Sequence, residues 1–198
     1  TLNFSENLKN FIELNLDAIF ICVGTPSNKD GSCNTDNLEI LIKDLSNINF
    51  RKSTCLIVKS TIPPGTSDKL NNYLKKNRFL SLVFYPEFLR EGFAWNDFLY
   101  PDRVVVGVNS KYNKKYNKIF NSFSTPLYFT NFKEAELIKY LSNSLLATLI
   151  SYSNEMSMLA NKIKNIDIKK RSGSSNKLIM RSNKRLLIQN NLFLFMRV

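Results

Sequence analysis

The stretch LDAIFICVG, residues 16–24, is a continuous run of apolar residues with the length of one strand. Runs of the same kind follow it along the chain: TCLIVKS (54–60), LSLVFYP (80–86), RVVVGV (103–108) and the shorter PLYF (126–129). Continuous rather than alternating apolarity is typical of strands that are buried on both faces, as in parallel sheets. These runs therefore predict a sheet that is covered on both sides.

Amphipathic segments separate the strand candidates, at about residues 35–48, 66–76 and 111–123. Alternating strands and helices with short connections predict a layered α/β domain. From Asn131 to Ile163, apolar residues recur every three or four positions, which predicts one helix of about eight turns. Asn131 and Glu134 offer this helix a capping box. A helix of this length is expected to join domains or to pack on a partner chain.

The charge of the chain lies mostly in its last part. The 198 residues carry 28 Lys and Arg against 16 Asp and Glu, a net charge of +12, and no histidine. Residues 162–198 hold ten basic residues and one acidic residue, so the remainder is nearly balanced. The missing histidine excludes mechanisms that need imidazole and zinc sites with histidine ligands. We expect no metal site. We expect no signal peptide, because the first residues lack a charged start and an apolar middle, and no membrane helix, because no apolar run reaches about 18 residues.

Three loops follow the predicted buried strands directly: VGTP (23–26), KSTIPPGT (59–66) and YPEFLREG (85–92). In open α/β sheets ligands bind outside the carboxyl ends of the strands, so the loops are predicted to share one rim. Gly24 lets the backbone approach a ligand, and Thr25 and Thr61 add hydroxyl groups there. Thr66 is the predicted N-cap of the helix that follows. Ordinary turn chemistry explains any one of these loops taken alone.

Two pairs of polar residues are spaced four apart. Glu87 and Glu91 share a face of the rim if 87–97 begins as a helical turn, and two carboxylates there suit proton transfer or hydroxyl binding. Lys139 and Asn143 flank the apolar stripe of the long helix, and a cation beside an amide suits an anionic or oxyanionic ligand. The alternatives are a solvated charged turn and the wet face of a helix.

The three cysteines have no paired spacing, which argues against a disulfide framework and predicts a reducing, cytoplasmic location. Cys22 and Cys55 lie within strand candidates and are expected to be small core residues. Cys33 lies in a loop and is expected to be exposed. None of the three is expected to be a nucleophile, because no base or field near them in the sequence lowers their pKa.

Taken together, four strings resemble the UDP-glucose 6-dehydrogenase family of nucleotide-sugar dehydrogenases. They are IFICVGTPSNKDGS, VKSTIPPGT, YPEFLREGFAWNDFLYPDRVVVG and EAELIKYLSNSLLATLISYSNEM, in the family's order over residues 16–163. The resemblance implies a partial Rossmann-type parallel sheet at 1–130, a central dimerisation helix at 131–164 and a basic tail at 165–198 without family resemblance. It implies an oxidoreductase of nucleotide-sugar metabolism and polysaccharide biosynthesis that oxidises the sugar C6 alcohol to a carboxylate in two hydride transfers to NAD.

The same resemblance assigns roles to residues of this chain. Thr25, with Gly24 beside it, and Thr61 are expected along the NAD site, with Thr61 also positioning the hydrolytic water. Glu91 is expected at the cofactor or substrate side, and Glu87 as the acid/base carboxylate. The backbone amides around Phe88 and Leu89 are expected to hold the UDP-sugar, Lys139 to stabilise an oxyanion, and Asn143 to bind the sugar or the same oxygen.

Three features of the family pattern are missing from this sequence. The family has a GxGxxG turn before the first matching string and a cysteine segment and a UDP-binding part after the last, and none of these occurs here. We therefore expect an incomplete fragment that is inactive alone and that forms a homodimer through 133–163. The alternatives are a dehydrogenase of another nucleotide sugar (GDP-mannose or a UDP-N-acetylhexosamine), a non-catalytic partner that docks through the helix and, least expected, a nucleic-acid-binding module.

Overall fold

A computed structural model describes residues 15–89, 92–109, 114–120 and 125–163. Within these ranges one sheet has five strands in the order β1-β2-β3-β4-β5. The strands are β1 (Ala18–Ile21), β2 (Thr54–Val58), β3 (Leu80–Phe84), β4 (Val104–Val108) and β5 (Leu127–Thr130). The helices are α1 (Asp36–Ser46), α2 (Thr66–Leu74), α3 (Ala94–Leu99), α4 (Lys114–Phe120) and α5 (Phe132–Lys162). The predicted α/β architecture is confirmed.

The direction of the strands changes once across the sheet. β1, β2 and β3 are parallel, and β5 is parallel to β4, but β4 runs antiparallel to β3 with Phe84 opposite Gly107. The sheet is therefore mostly, and not wholly, parallel. Continuous apolarity reports burial on both faces, which an interior antiparallel strand shares, so the sequence does not signal this reversal. As a result, the start of β4 lies at the edge of the sheet where β1, β2 and β3 end.

Successive residues of the strands pack on opposite faces, which explains why the runs are apolar throughout. In β2, Leu56 and Val58 belong to one core cluster, and Cys55 and Ile57 belong to another. The first cluster includes buried side chains from α1, α2 and the start of α5: Leu38, Ile42, Leu45, Leu70, Leu74, Phe132, Ala135 and Ile138. The second includes Tyr116 and Phe120 of α4.

The start of α5 packs closely on the sheet. A Cβ atom built at Gly107 of β4 would lie 2.8 Å from the Cβ of Ala135 and 3.3 Å from the Cα of Phe132. The chain divides into two compact units, residues 1–139 and 140–198, and the boundary falls within α5. The predicted tail at 165–198 lies outside the described residues. No helix in the described ranges has both the length and the hydropathy needed to cross a bilayer.

The helix starts agree only partly with the predictions. At α5 the backbone N–H of Glu134 donates to Oδ1 of Asn131 at 2.9 Å, as the capping box requires, whereas the Glu134 carboxylate accepts from the Thr130 hydroxyl. At α2 the prediction that Thr66 is the N-cap is wrong. Gly65 occupies that position with φ 93°, a left-handed conformation that threonine rarely adopts.

The start of α2 is capped from a distant part of the chain. The Glu136 carboxylate of α5 accepts hydrogen bonds from the backbone N–H groups of Gly65 and Ser67, both at 2.6 Å. Burial raises the pKa of Glu136, and these hydrogen bonds oppose the rise. The side chain is completely buried, so α5 provides the anionic group that a helix start favours.

Candidate functional site

An open cleft of about 250 Å³ lies at the carboxyl ends of β1, β2 and β3. Its lining comes from the loop after each strand: Cys22, Val23, Gly24, Thr25, Lys59, Ser60, Thr61 and Glu87. The three predicted loops therefore do share one rim, as expected of the ends of parallel strands. At Gly24 nothing lies within 4 Å of the position that a Cβ would take, so the backbone is open to a ligand there.

Hydrogen bonds connect the first two loops. The Thr25 hydroxyl donates to the Thr61 carbonyl at 2.9 Å, and the Ser60 hydroxyl donates to the Val23 carbonyl at 2.6 Å. The Cys33 thiol lies 3.9 Å from the same Thr61 carbonyl, the distance of a weak sulfur hydrogen bond. These contacts fix the spacing of the two loops and hold the threonines at the cleft.

The third loop joins the cleft to α5. The Lys139 ammonium donates a hydrogen bond to the carbonyl oxygen of Glu87, and its Nζ lies 5.3 Å from the centroid of the Phe88 ring. Lys139 is only 6% exposed. Burial lowers its pKa, and the Glu87 charge opposes this shift. The buried ammonium group of Lys139 and the exposed carboxylate of Glu87 therefore lie near each other at the rim.

Lys59 is a cleft residue that the sequence reasoning missed. It follows β2 directly, and its Nζ lies 3.6 Å from the centroid of the Tyr85 ring. Burial lowers the pKa of Lys59 to about 8, and Lys139 acts in the same direction, whereas Glu87 and Cys22 oppose the shift. The available signal was a charged residue placed directly after five apolar or β-branched strand residues.

Arg103 is a second cation that the sequence reasoning missed. Because β4 is antiparallel to β3, Arg103 at its start lies beside the loop after β3, with Cζ 4.8 Å from the Phe88 ring centroid. Its Nε is buried without a hydrogen-bond partner among the described residues. Burial lowers its pKa, while Asp102 opposes the shift. No signal in the sequence indicates the strand reversal that brings Arg103 here.

The predicted site residues fall into three groups. Gly24, Thr25, Thr61 and Glu87 line the cleft, and Lys139 contacts Glu87. Phe88 and Leu89 follow Glu87 in the same loop, Phe88 half-buried and Leu89 37% exposed. Asn143 lies one turn beyond Lys139 in α5 and belongs to the second unit, and Glu91 lies outside the described residues.

Two sequence interpretations need correction. The nearest helix, α3, begins at Ala94, so Glu87 precedes it and does not lie on its first turn. Cys22, expected in the core, is exposed at the cleft, whereas Cys55 is buried as predicted and Cys33 is partly buried. Cys22 is exposed because β1 ends at Ile21 and is the outermost strand of the described sheet.

The fold and its rim are those of a Rossmann-type nucleotide-binding domain. The model of the "UDP-glucose/GDP-mannose dehydrogenase family, NAD binding domain" matches residues 1–124, and the model of the family's central domain matches residues 133–174. The chain therefore belongs to the UDP-glucose/GDP-mannose dehydrogenase family. The match to its NAD-binding domain confirms the expected cofactor, NAD.

Named relatives agree with this assignment. UDP-glucose 6-dehydrogenase of Rickettsia bellii is 40% identical over 188 residues, which cover 87% of this chain and 41% of that protein. The structure of a UDP-glucose dehydrogenase from Pyrobaculum islandicum is 32% identical, with a TM-score of 0.66 over 79% of this chain and 38% of that one. A GDP-mannose dehydrogenase structure from Pseudomonas aeruginosa is 25% identical, with a TM-score of 0.69 over 92% of this chain and 42% of that one. The chain thus spans about two fifths of the length of these relatives.

Proposed function

We propose that the chain is part of an NAD-dependent UDP-glucose 6-dehydrogenase, which converts UDP-glucose to UDP-glucuronate in two hydride transfers. The observation that carries the proposal is the cleft itself, where two threonines, a carboxylate and a hydrogen-bonded ammonium group meet at the ends of parallel strands. The substrate is supported by relatives named UDP-glucose 6-dehydrogenase at 40% to 43% identity.

The cleft has the chemistry that NAD requires. Open space at Gly24 admits a phosphate or ribose close to the backbone, and the hydroxyls of Thr25 and Thr61 offer hydrogen bonds. When bound, NAD supplies the hydride acceptor. Gly24, Thr25 and Thr61 would hold it on this chain, and Glu91 is proposed to contact the cofactor or the substrate.

Other residues of the chain have proposed roles in proton transfer, charge stabilisation and substrate binding. Glu87 is exposed at the cleft and can accept a proton from the alcohol or from water. Lys139 has a buried ammonium group beside Glu87 and can stabilise a negative oxygen. Thr61 can orient a water through its hydroxyl, and Asn143 is proposed to bind the sugar or the same oxygen. The backbone of Phe88 and Leu89 is proposed to hold the UDP-sugar.

Ligand binding and turnover test the proposal separately. We expect the 198-residue chain to bind NAD, observed by saturation-transfer NMR, and Thr61→Val to weaken binding, while Thr148→Val on the exposed part of α5 leaves it unchanged. We also expect no increase in NADH absorbance when the 198-residue polypeptide is mixed with NAD and UDP-glucose, because it spans only about two fifths of the length of the relatives. No NAD binding by the folded chain would contradict the cofactor site, and NADH formation would contradict the expected inactivity.

Another nucleotide sugar is the alternative substrate, favoured by the similarity to the GDP-mannose dehydrogenase structure. Competition among UDP-glucose, GDP-mannose and UDP-N-acetylmannosamine for the chain separates the candidates. Tighter binding of UDP-glucose supports the proposal, and tighter binding of either other sugar contradicts it.

We propose in addition a homodimer formed through residues 133–163. The support is the number of apolar side chains that this helix exposes: Leu141, Leu146, Ile150, Tyr152, Met156, Met158 and Leu159. Light scattering should give the mass of a dimer for the wild-type chain and of a monomer for Ile150→Asp. A monomeric wild type that co-elutes with a full-length homologue would favour the alternative of a docking partner.

We also propose a cytoplasmic location. The support is the three free cysteines, which are typical of a reducing compartment.

A further inference from the structure

Lys59 brings a cation into the cleft without a matching acid. In the part of the chain that the structure describes, no ion pair joins Lys59 to a carboxylate. Its Nζ instead lies on the face of the Tyr85 ring at 3.6 Å, a contact that attracts a cation but does not neutralise it. The side chain is half-buried yet still lines the opening. Lys59 has therefore lost much of its hydration and gained no hydrogen-bonded anion in return.

The neighbouring charges increase this imbalance. Lys139 is buried beside Glu87, and Arg103 has a buried Nε without a hydrogen bond among the described residues. Among the described residues, the acidic side chains that act on these cations are Glu87, which is exposed, and Asp102. Partly buried cations are unfavourable unless an anion or hydrogen-bond acceptors compensate for the lost water. The rim thus has an electrostatic preference for an anionic ligand.

We propose that Lys59 binds an anionic oxygen of the nucleotide ligand that enters the cleft. This inference rests on the proposed function, which offers two sources of such an oxygen: the phosphoryl groups of NAD or of the UDP-sugar, and the C6 carboxylate of the product. Lys59 shares the cleft with Thr25, Thr61 and Glu87, so a ligand held by those residues comes within its reach. Lys59 is then a further ligand-binding residue, in addition to the site residues predicted from the sequence.

The first test uses inorganic pyrophosphate, which does not depend on the proposed function. At pH 7.0, Lys59→Met should weaken its binding to the chain about tenfold, the usual effect of losing one charge-assisted hydrogen bond. Lys43→Met is the matched control, because the Lys43 Nζ lies 4.6 Å from the Tyr73 ring centroid, in the same kind of contact but on the exposed side of α1. Circular dichroism checks that each variant is folded.

Wild-type affinity in Lys59→Met would overturn the proposal. Lys59→Arg provides a second measurement if the methionine variant does not fold, because arginine keeps a cation at this position. Near wild-type affinity in Lys59→Arg at pH 7.0 supports binding through charge. Loss of affinity in the Lys43→Met control equal to that in Lys59→Met would also overturn the assignment, since it would indicate non-specific attraction.

Three nucleotides identify the source of the oxygen. Weakening by Lys59→Met that is confined to UDP-glucuronate assigns the C6 carboxylate, and equal weakening for UDP-glucose and UDP-glucuronate assigns the phosphoryl groups of the nucleotide sugar. Weakening for NAD alone assigns the cofactor. If the wild-type chain binds pyrophosphate through Lys59 but none of the nucleotides, the proposed function fails and the anion site stands. If all ligands bind independently of Lys59, the anion site fails.

The dependence of binding on pH gives an independent measurement. Lys59 is faced by Glu87, Cys22, Lys139 and Tyr85, and its own proton is lost at about pH 8 in the free chain. Binding of sulfate, which keeps its charge in this range, should weaken from pH 7 to pH 9 in the wild type and in Cys22→Ser. It should stay constant in Lys59→Arg. A decline that persists in Lys59→Arg, or is absent from the wild type, would overturn the proposal.

Discussion

The two parts of α5 have the same apolar spacing but different surroundings. From Phe132 to Lys139, the side chains of Phe132, Ala135 and Ile138 are buried in the core of the first unit, whereas Leu137 is exposed. The charged residues Glu136 and Lys139 are buried there as well. From residue 140 to 163, apolar side chains at the same spacing are exposed, and so are Glu155 and Lys162. One sequence pattern therefore accompanies two structural outcomes within a single helix.

The difference shows what helical periodicity reports. A stripe of apolar residues indicates that a helix face needs a partner, but it does not identify that partner. For the first part the partner is the sheet, which approaches at Gly107. Its charged residues act at two places, since Glu136 caps α2 and Lys139 donates a hydrogen bond to the loop after β3.

The largest difference is expected between two isoleucines of the helix. Ile138→Ala should lower the free energy of unfolding by about 3 kcal/mol, because it leaves a cavity in the core. Ile150→Ala should change it by less than about 0.5 kcal/mol, because its side chain is already exposed. Urea denaturation measures the free energy of unfolding of both variants, at a protein concentration low enough for any dimer to dissociate. Equal losses would show that the exposed part is covered in solution.

Glu136→Ala should lower the free energy of unfolding by about 2 to 3 kcal/mol, because two backbone N–H groups at the start of α2 lose a charged acceptor. Glu136→Gln should lower it less, since its amide oxygen still accepts one of the two hydrogen bonds. Glu155→Ala on the exposed part serves as control. Amide hydrogen exchange at Gly65 and Ser67 should quicken in Glu136→Ala, and unchanged exchange there would refute the distant cap.

Gly107→Ala should lower the free energy of unfolding by about 2 kcal/mol. The new methyl group would lie well inside van der Waals distance of the Cβ of Ala135 and would force α5 away from β4. Gly24→Ala is the matched control, since nothing lies within 4 Å of its added Cβ. Thermal unfolding compares the two variants. If both melt at the same temperature, the close approach of helix and sheet is not rigid.

The smallest effect is expected for Lys139→Met, which removes a like charge near Lys59. The pKa of Lys59 should rise above about 8, whereas Lys162→Met on the exposed part should leave it unchanged. Lysine Cε resonances followed over pH measure this directly. Lys59 in the folded chain loses its proton at lower pH than the ordinary lysine value of 10.5. The unfolded chain therefore binds more protons between about pH 8 and 10.5, so stability should rise with pH in this window, and less so in Lys139→Met.

Much of the fold could be predicted because the residue types of a segment indicate which of its side chains are buried. The runs at 16–24, 54–60, 80–86 and 103–108 each contain a strand, and the stripe from Asn131 to Ile163 contains α5. The shared rim also followed, since strand ends and loop composition are local features of the sequence. Thr25, Thr61 and Glu87 were predicted at the cleft for this reason, and they line it.

The sequence alone determined the α/β class, the strand candidates, the long helix and the loops that form the rim, because these depend on periodicity and on neighbours in the chain. Only the tertiary structure decided the reversal of β4, the capping of α2 by Glu136 and the convergence of Lys59, Lys139 and Arg103 near Glu87. Each of these joins residues at least 15 positions apart. Which charged group meets which depends on strand direction and on how the helix packs, and no local pattern in the sequence records either.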